Sequence, residues 1–312
     1  MSDHERADAD GGWKDIIEDF TEEFFAFYFP QVHAAIDFTR PVTFLDTELR
    51  QVAPDAFEGK RHADRLLRVA MKDGTEQWLF VHVEVQGETK ESEQDFAERM
   101  FTTFYRIRDR HGRSVISLAV LTDPSPEFRP CEFRDELLGT KILFRFPTAK
   151  LIDRDPDELA ALDQPFALVS RIQLAYNELR RDTGGTARYG RKTALTRDLY
   201  RKGYDRSQLL RLFRFLDFVM RLPPPMELKY RKELESIEGE FNMPYVTSVE
   251  RLAKEEGQVA RAREDVIDAL EARFGEIPYQ LREAINHIDD DGRLRELLRK
   301  AVVVKNLDSF SV

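Results

Sequence analysis

Cysteine is almost missing from this sequence: Cys131 stands alone among 312 residues, which excludes an internal disulfide framework and a cysteine-based zinc cluster. Long apolar runs are missing as well, and no stretch reaches the length needed to span a bilayer. The N-terminal "MSDHERADADGG" has neither the basic nor the apolar region of a signal peptide, so the expected location is the cytoplasm. Glycine (15) and proline (14) are sparse beside 34% charged residues, the balance of a globular chain rather than a disordered one. Several catalytic signatures are also lacking: no G-x-x-x-x-G-K-[ST] loop, no G-x-S-x-G elbow and no His-Glu-x-x-His helix. "DTGGT" at Asp182 to Thr186 follows no strand and reads as a loop.

What is present suffices for one large core or two smaller ones, with 42% hydrophobic residues and 23 phenylalanines. The net charge of -10 argues against binding nucleic acid through overall charge alone. Within that acidic chain, Arg188 to Arg221 carries ten Lys and Arg against three Asp, a local net of +7. It is either a basic binding surface or a set of solvated helix faces.

In "WKDIIEDFTEEFFAFY" (13–28), Trp13, Ile16, Ile17, Phe20, Phe24 and Phe27 recur at helical spacing, which predicts one amphipathic helix ended by Pro30. "VTFLDTELRQV" (42–52) reads as a first, irregular strand, "HADRLLRVAM" (62–71) as a second, and "QWLFVHVEVQ" (77–86) as a third, with "KDGTE" as the turn between the last two. "SEQDFAERMFTTFYRIRDRHG" (92–112) predicts a helix with Phe96, Met100, Phe104 and Ile107 on one stripe and Gly112 as its stop. "SVISLAVLTD" (114–123) has the nearly continuous apolar character of a strand buried on both faces. The second half reads as helical, with Asp205 and Gln208 placed as a capping box, "PPP" at 223–225 as a stop, and two or three short helices in the tail from Val259.

The chemistry concentrates in "HVEVQGE" (82–88). Val81, Val83 and Val85 alternate with His82, Glu84 and Gln86, so the strand has one polar face. Two registers are open. A two-residue turn at Asp73-Gly74 puts Asp64 opposite Val83, with the carboxylates of Asp64 and Glu84 on opposite sides. A three-residue loop of Lys72, Asp73 and Gly74, with the glycine left-handed, pairs Met71 with Thr75. Asp64 then faces His82, His62 faces Glu84, and Gln86 follows on the same side. Two carboxylates on neighbouring strands repel in a partly buried site unless a cation joins them, and oxygen ligands suit Mg²⁺ or Mn²⁺. The other use of Asp64 and Glu84 is as solvated strand-end residues paired with Arg65, Arg68 or Arg99. His62 and His82 are read as supporting neighbours rather than ligands.

Taken as a set, "HADRLLRV", "WLFVHVEVQGE", "FAERMFTTFYRI" and "SLAVLTD" resemble the recombination-promoting nuclease (Rpn) family, which carries a transposase label, within the PD-(D/E)XK nuclease superfamily. The likeness covers roughly residues 13 to 150. "KILFRFP", "LYRKGYDRSQLLRLFRFLDFVM" and "MPYVTSVER" extend it, and "ALEARFGEIP" resembles a small C-terminal helical module of related chains. The resemblance implies an α/β fold: a three-layer PD-(D/E)XK-like core of helix, three strands, helix and strand around a central mixed sheet, then an all-helical C-terminal half. The expected division is 13–153, 154–255 and 256–312. It also implies that Asp64 and Glu84 bind the divalent metal and that Gln86 stands where the superfamily has a lysine that orients water or steadies the phosphate. Glutamine can hold a water but brings no charge, so its stabilisation of the transition state is smaller. Glu22 or Glu23 on the first helix are candidates for a further carboxylate, and Arg99, with Arg106 and Arg110, for a phosphate-facing stripe.

The function expected on this basis is a Mg²⁺- or Mn²⁺-dependent DNA endonuclease that hydrolyses phosphodiester bonds and leaves breaks usable in recombination, with the basic segment from Arg188 gripping the duplex. The rival is a nuclease-fold protein without turnover that binds DNA or another protein, favoured by Gln86 and by the acidic charge. In a third reading the helical half binds a second copy of the chain or another protein through "LLRLFRFLDFVM", a segment equally suited to a core.

Overall fold

A computed structural model of the chain describes residues 12–52, 64–84, 92–288, 290–304, 306, 307 and 310. The chain forms two compact units, Met1–Phe241 and Asn242–Val312. Among the described residues no helix is long and apolar enough to cross a membrane.

The first unit begins with helical residues 12–19 (α1), then α2 (Thr21–Tyr28) and α3 (Pro30–Ala35). The single helix expected over 13–28 is therefore broken at Phe20, whose φ of -139° lies outside the helical range. The Thr21 hydroxyl explains the break, since it donates to the carbonyls of Ile17 (2.9 Å) and Glu18 (3.2 Å), where backbone N–H groups would otherwise bond. Pro30 does more than end α2, because it opens α3 from the first helical position, where its missing N–H is not needed.

Residues 42–52 are mostly not a strand. β1 is only Thr43–Phe44, and Asp46–Val52 is a helix, α4. Leu45, Leu49 and Val52, spaced by four and three, are all buried in one core cluster, so the helical period outcompeted the alternating one. β2 (Arg65–Ala70), β3 (Glu76–Glu84), α5 (Glu93–His111) and β4 (Val115–Leu121) follow in the expected order. α5 stops at Gly112 (φ +60°), as its sequence indicates, and it opens on a capping box between Ser92 and Asp95 that the apolar spacing does not mark. The chain continues through β5 (Glu132–Leu137), β6 (Thr140–Arg145) and β7 (Thr148–Lys150).

The main sheet runs β1-β2-β3-β4-β7, antiparallel through β3 and parallel from β3 to β7, so it is a mixed sheet in an α/β unit. α5 covers one face: Phe96, Ala97, Met100 and Ile107 share a core with Leu66, Phe80, Ala119 and Leu121. On the opposite face the Arg65 guanidinium reaches α1, donating to the Lys14 carbonyl (2.9 Å) and to Glu18 (2.8 Å), and it also pairs with Asp46. β5 and β6, unforeseen in the sequence, form a separate hairpin whose Phe133 and Phe144 stack on Phe101 and Phe104 of α5.

A 3-10 turn at Leu151–Asp153 leads to α6 (Pro156–Ala161), α7 (Pro165–Glu178), α8 (Thr186–Arg201), α9 (Arg206–Val219) and α10 (Pro224–Phe241). Both bonds of the Asp205–Gln208 capping box are present. These helices belong to the same compact unit as the sheet. Trp13 donates to Gln173 (3.0 Å), Tyr28 bonds Ser170 (2.7 Å), and Asn177 donates to the Thr122 carbonyl at the end of β4. The second unit carries α11 (Tyr245–Phe274), α12 (Tyr279–Asn286) and α13 (Asp291–Val303). α11 runs unbroken for 30 residues to Gly275, so the boundary expected near 256 falls inside a helix.

Candidate active site

The loop between β2 and β3 chooses between the two registers. Met71 N–H donates to Thr75 O (2.8 Å), Gly74 N–H donates to Met71 O (3.0 Å), and Gly74 is left-handed at φ +85°. This is the three-residue loop. Asp73 braces it by accepting from the Thr75 N–H (2.8 Å) and hydroxyl (2.6 Å), bonds that hold its carboxyl below the ordinary carboxylate range. Arg65 pairs with Val81 and Leu66 with Phe80, which sets Asp64, one residue before β2, opposite His82.

The two side chains meet. His82 Nδ1 bonds Asp64 Oδ1, with His82 0% and Asp64 2% exposed. The His82 ring stands edge-on to Phe96 of α5 (5.1 Å), and Arg99, one turn further on, lies over Phe96 (5.1 Å) with Nη1 3.4 Å from His82 Nε2. A guanidinium can only donate, so Nε2 is the lone-pair nitrogen and the imidazole proton sits on Nδ1, directed at the carboxylate. Asp64, His82 and Arg99 thus form a polar chain from sheet to helix through an aromatic core.

The chain lies at the carboxyl ends of the parallel strands β3 and β4, where open α/β sheets hold ligands. Glu84 ends β3 at that edge, in register with Leu121. The Glu84 side chain, Gln86 and His62 lie outside the described residues. Among the described residues no group of three or more His, Cys, Asp or Glu is arranged to hold a metal.

The remaining candidates are placed elsewhere. Glu22 contacts His33 of α3 (3.4 Å), and Glu23 lines a cavity with Asp163, Lys202 and Tyr204. Arg106 and Arg110 reach the C-terminal end of α4, donating to Val52 O (3.4 Å) and Gln51 (2.9 Å). Sequence reasoning missed a buried ion pair at the same sheet edge. Lys150 Nζ lies 2.6 Å from Asp123 and 3.0 Å from Phe128 O, and Lys150 is in register with Leu121, hence in one row with Glu84. Burial pulls the Lys150 ammonium below its ordinary range, against the opposing effect of Asp123. A charged residue two positions beyond a nearly all-apolar strand, as in "VLTD", was the available signal.

The basic segment 188–221 is largely neutralised in space. Among the described residues at least seven of its ten cations pair with carboxylates: Arg191 with Glu178, Lys192 with Asp217, Arg197 with Glu233, Arg201 with Asp198, Lys202 with Asp163, and Arg211 and Arg214 both with Asp19. Most of these carboxylates come from outside the segment, so the local +7 of the sequence is not a +7 on the surface.

Compared with protein-family models, with curated proteins and with solved structures, the chain has no significant match in any of the three.

Proposed function

We propose that the chain is a divalent-metal-dependent DNA endonuclease of the PD-(D/E)XK type, centred on Asp64. The observation that carries this reading is a buried carboxylate bonded to a buried histidine at the carboxyl ends of the parallel strands of a mixed sheet, in an order of helices, β1, the inserted α4, β2, β3, α5 and β4. The donor chemistry suits the metal, because a hard carboxylate oriented by a histidine N–H is what an oxygen-preferring Mg²⁺ or Mn²⁺ takes. Asp64 and Glu84 would hold the ion. When bound, it would polarise the phosphodiester and acidify a water for in-line attack. Gln86 would hydrogen-bond that water, His82 keeps the Asp64 carboxylate turned to its task, and Arg99 holds His82 in the tautomer that donates to Asp64. DNA contacts would be few and backbone-directed, given how many cations of 188–221 are already paired.

Nicking of supercoiled plasmid tests the reading, with Mg²⁺, with Mn²⁺ and with EDTA, beside Asp64→Ala. Metal-dependent nicking lost in Asp64→Ala is the expected outcome; no nicking by folded parent protein with either metal overturns it. A second reading, a nuclease-fold interaction module without turnover, is favoured by Gln86 in the lysine position and by the tip of the β5–β6 hairpin. There Leu138 is 99% exposed at φ +47°, beside exposed Leu137.

A further inference from the structure

α6, α7 and α8 meet around a cleft of about 400 Å³, a volume within the range of small-molecule sites. The cleft exists because alanines stand where larger side chains would interdigitate: Ala160 on α6, Ala175 on α7 and Ala194 on α8. Ile152, Leu174 and Leu195 complete an apolar floor. Around it stand three guanidiniums, Arg154, Arg171 and Arg191, against two carboxylates, Asp157 and Glu178.

The internal pairings of these groups are unequal. Arg171 is engaged by Asp198 (2.6 Å) and Arg191 by Glu178 (3.2 Å). Arg154 donates through NH2 to the Phe27 carbonyl (3.0 Å) and lies over the Phe27 ring (4.8 Å), which fixes its plane. Among the described residues no carboxylate lies within ion-pair distance of it, although Asp153, the residue before it, feels its charge. A guanidinium carries five donors, so this one is held in place with donors to spare.

We propose that this cleft is a binding site for a small organic anion: a phosphate or carboxylate group received by Arg154, on an apolar or aromatic body laid over the alanine floor. The fork geometry of a guanidinium matches both anions, and the apolar floor offers an organic body contacts that a bare inorganic ion cannot make. The site is separate from Asp64, but its Arg154 follows β7 by four residues, and β7 ends in the lysine that holds Asp123.

Isothermal titration of the full chain with phenyl phosphate, in EDTA, tests the proposal beside inorganic phosphate, benzyl alcohol and phenethylamine. Saturable binding of phenyl phosphate is expected, with Kd on the order of 1 mM. It should be weaker by about tenfold in Arg154→Gln, the loss of one charge-assisted contact. It should be abolished in Ala194→Phe, which fills the cleft, and unchanged in Asp64→Ala, which separates this site from the candidate active site. Circular dichroism establishes that each variant is folded. The proposal is overturned by no saturable binding, by binding indifferent to both Arg154→Gln and Ala194→Phe, by equal affinity for inorganic phosphate, or by tighter binding of phenethylamine.

Discussion

Asp64 and His82 are cross-strand neighbours joined by a hydrogen bond, and both are almost wholly buried. Their meeting depends on one residue in the loop. With Gly74 left-handed the carboxylate faces the imidazole, and a loop shorter by one residue would turn the carboxylate to Val83.

Histidine 82 should therefore act through Asp64. His82→Ala is expected to weaken metal affinity or nicking by about 10- to 100-fold, the usual effect of removing the partner of a metal ligand. A metal titration and an initial-rate assay on the variant check it; unchanged values in folded protein would show that Asp64 does not need the imidazole.

Gly74→Ala tests the loop itself. The left-handed conformation disfavours any Cβ, so the substitution should destabilise the first unit by about 1 kcal/mol, read as a lower urea midpoint. Among the described residues no atom beyond the adjacent ones stands within 4 Å of the added methyl, so the effect is conformational and not steric.

Lys150→Met removes the cation from a buried pair. Asp123 is 2% exposed, and stranding its charge should lower stability by about 3–5 kcal/mol, while adding Asp123→Leu should recover much of the loss. Denaturation of the single and double variants gives the coupling directly.

Tyr204 provides a pH prediction. Its hydroxyl is buried and has no hydrogen-bond partner among the described residues, and burial, helped by Asp163, pushes the phenol up to about 12. The unfolded chain ionises near 10, so the folded state binds more protons between these values. Its contribution to stability is full below 10 and is lost as pH rises toward 12. Tyr204→Phe should be at least as stable at pH 7, by up to about 1 kcal/mol, and should decline less over that alkaline interval. Urea denaturation at pH 8 and pH 11 measures both.

Pairing within 188–221 has a consequence for DNA binding. At least seven of the ten cations are matched by carboxylates among the described residues. At about 0.9 per phosphate, all ten cations together would give a slope of about -9 in log Kobs against log salt, and binding through this surface should fall well short of that. A slope approaching about -9 would show that the ion pairs open on binding.

Where one physical signal was strong and local, the fold could be read in advance. Gly112, the Asp205–Gln208 box and the continuous apolar run of β4 each mark a feature that forms as expected. Where two periods compete, the reading failed. "FLDTELRQV" alternates well enough for a strand, yet Leu45, Leu49 and Val52 also define a helical stripe, and contact with α5 decided between them. The break at Phe20 depends on a threonine hydroxyl three to four residues from its acceptors, which apolar spacing does not reveal. In the candidate site, strand alternation put Asp64 and His82 within reach of each other in one of two registers, but not Arg99 behind the ring or Lys150 two strands away. Those partners come from helix packing and strand order, which are long-range. The charge of 188–221 misled for the same reason, since its partners Asp19, Glu178 and Glu233 are distant in sequence.

Plasmid assays respond to traces of other nucleases, so the most direct measurement is Mn²⁺ binding to the purified chain by isothermal titration, parent beside Asp64→Ala. A saturable site in the parent that disappears in the folded variant is the predicted result. Equal Mn²⁺ binding by the two proteins, or none by the folded parent, would contradict the assignment of Asp64 to a metal-dependent active site.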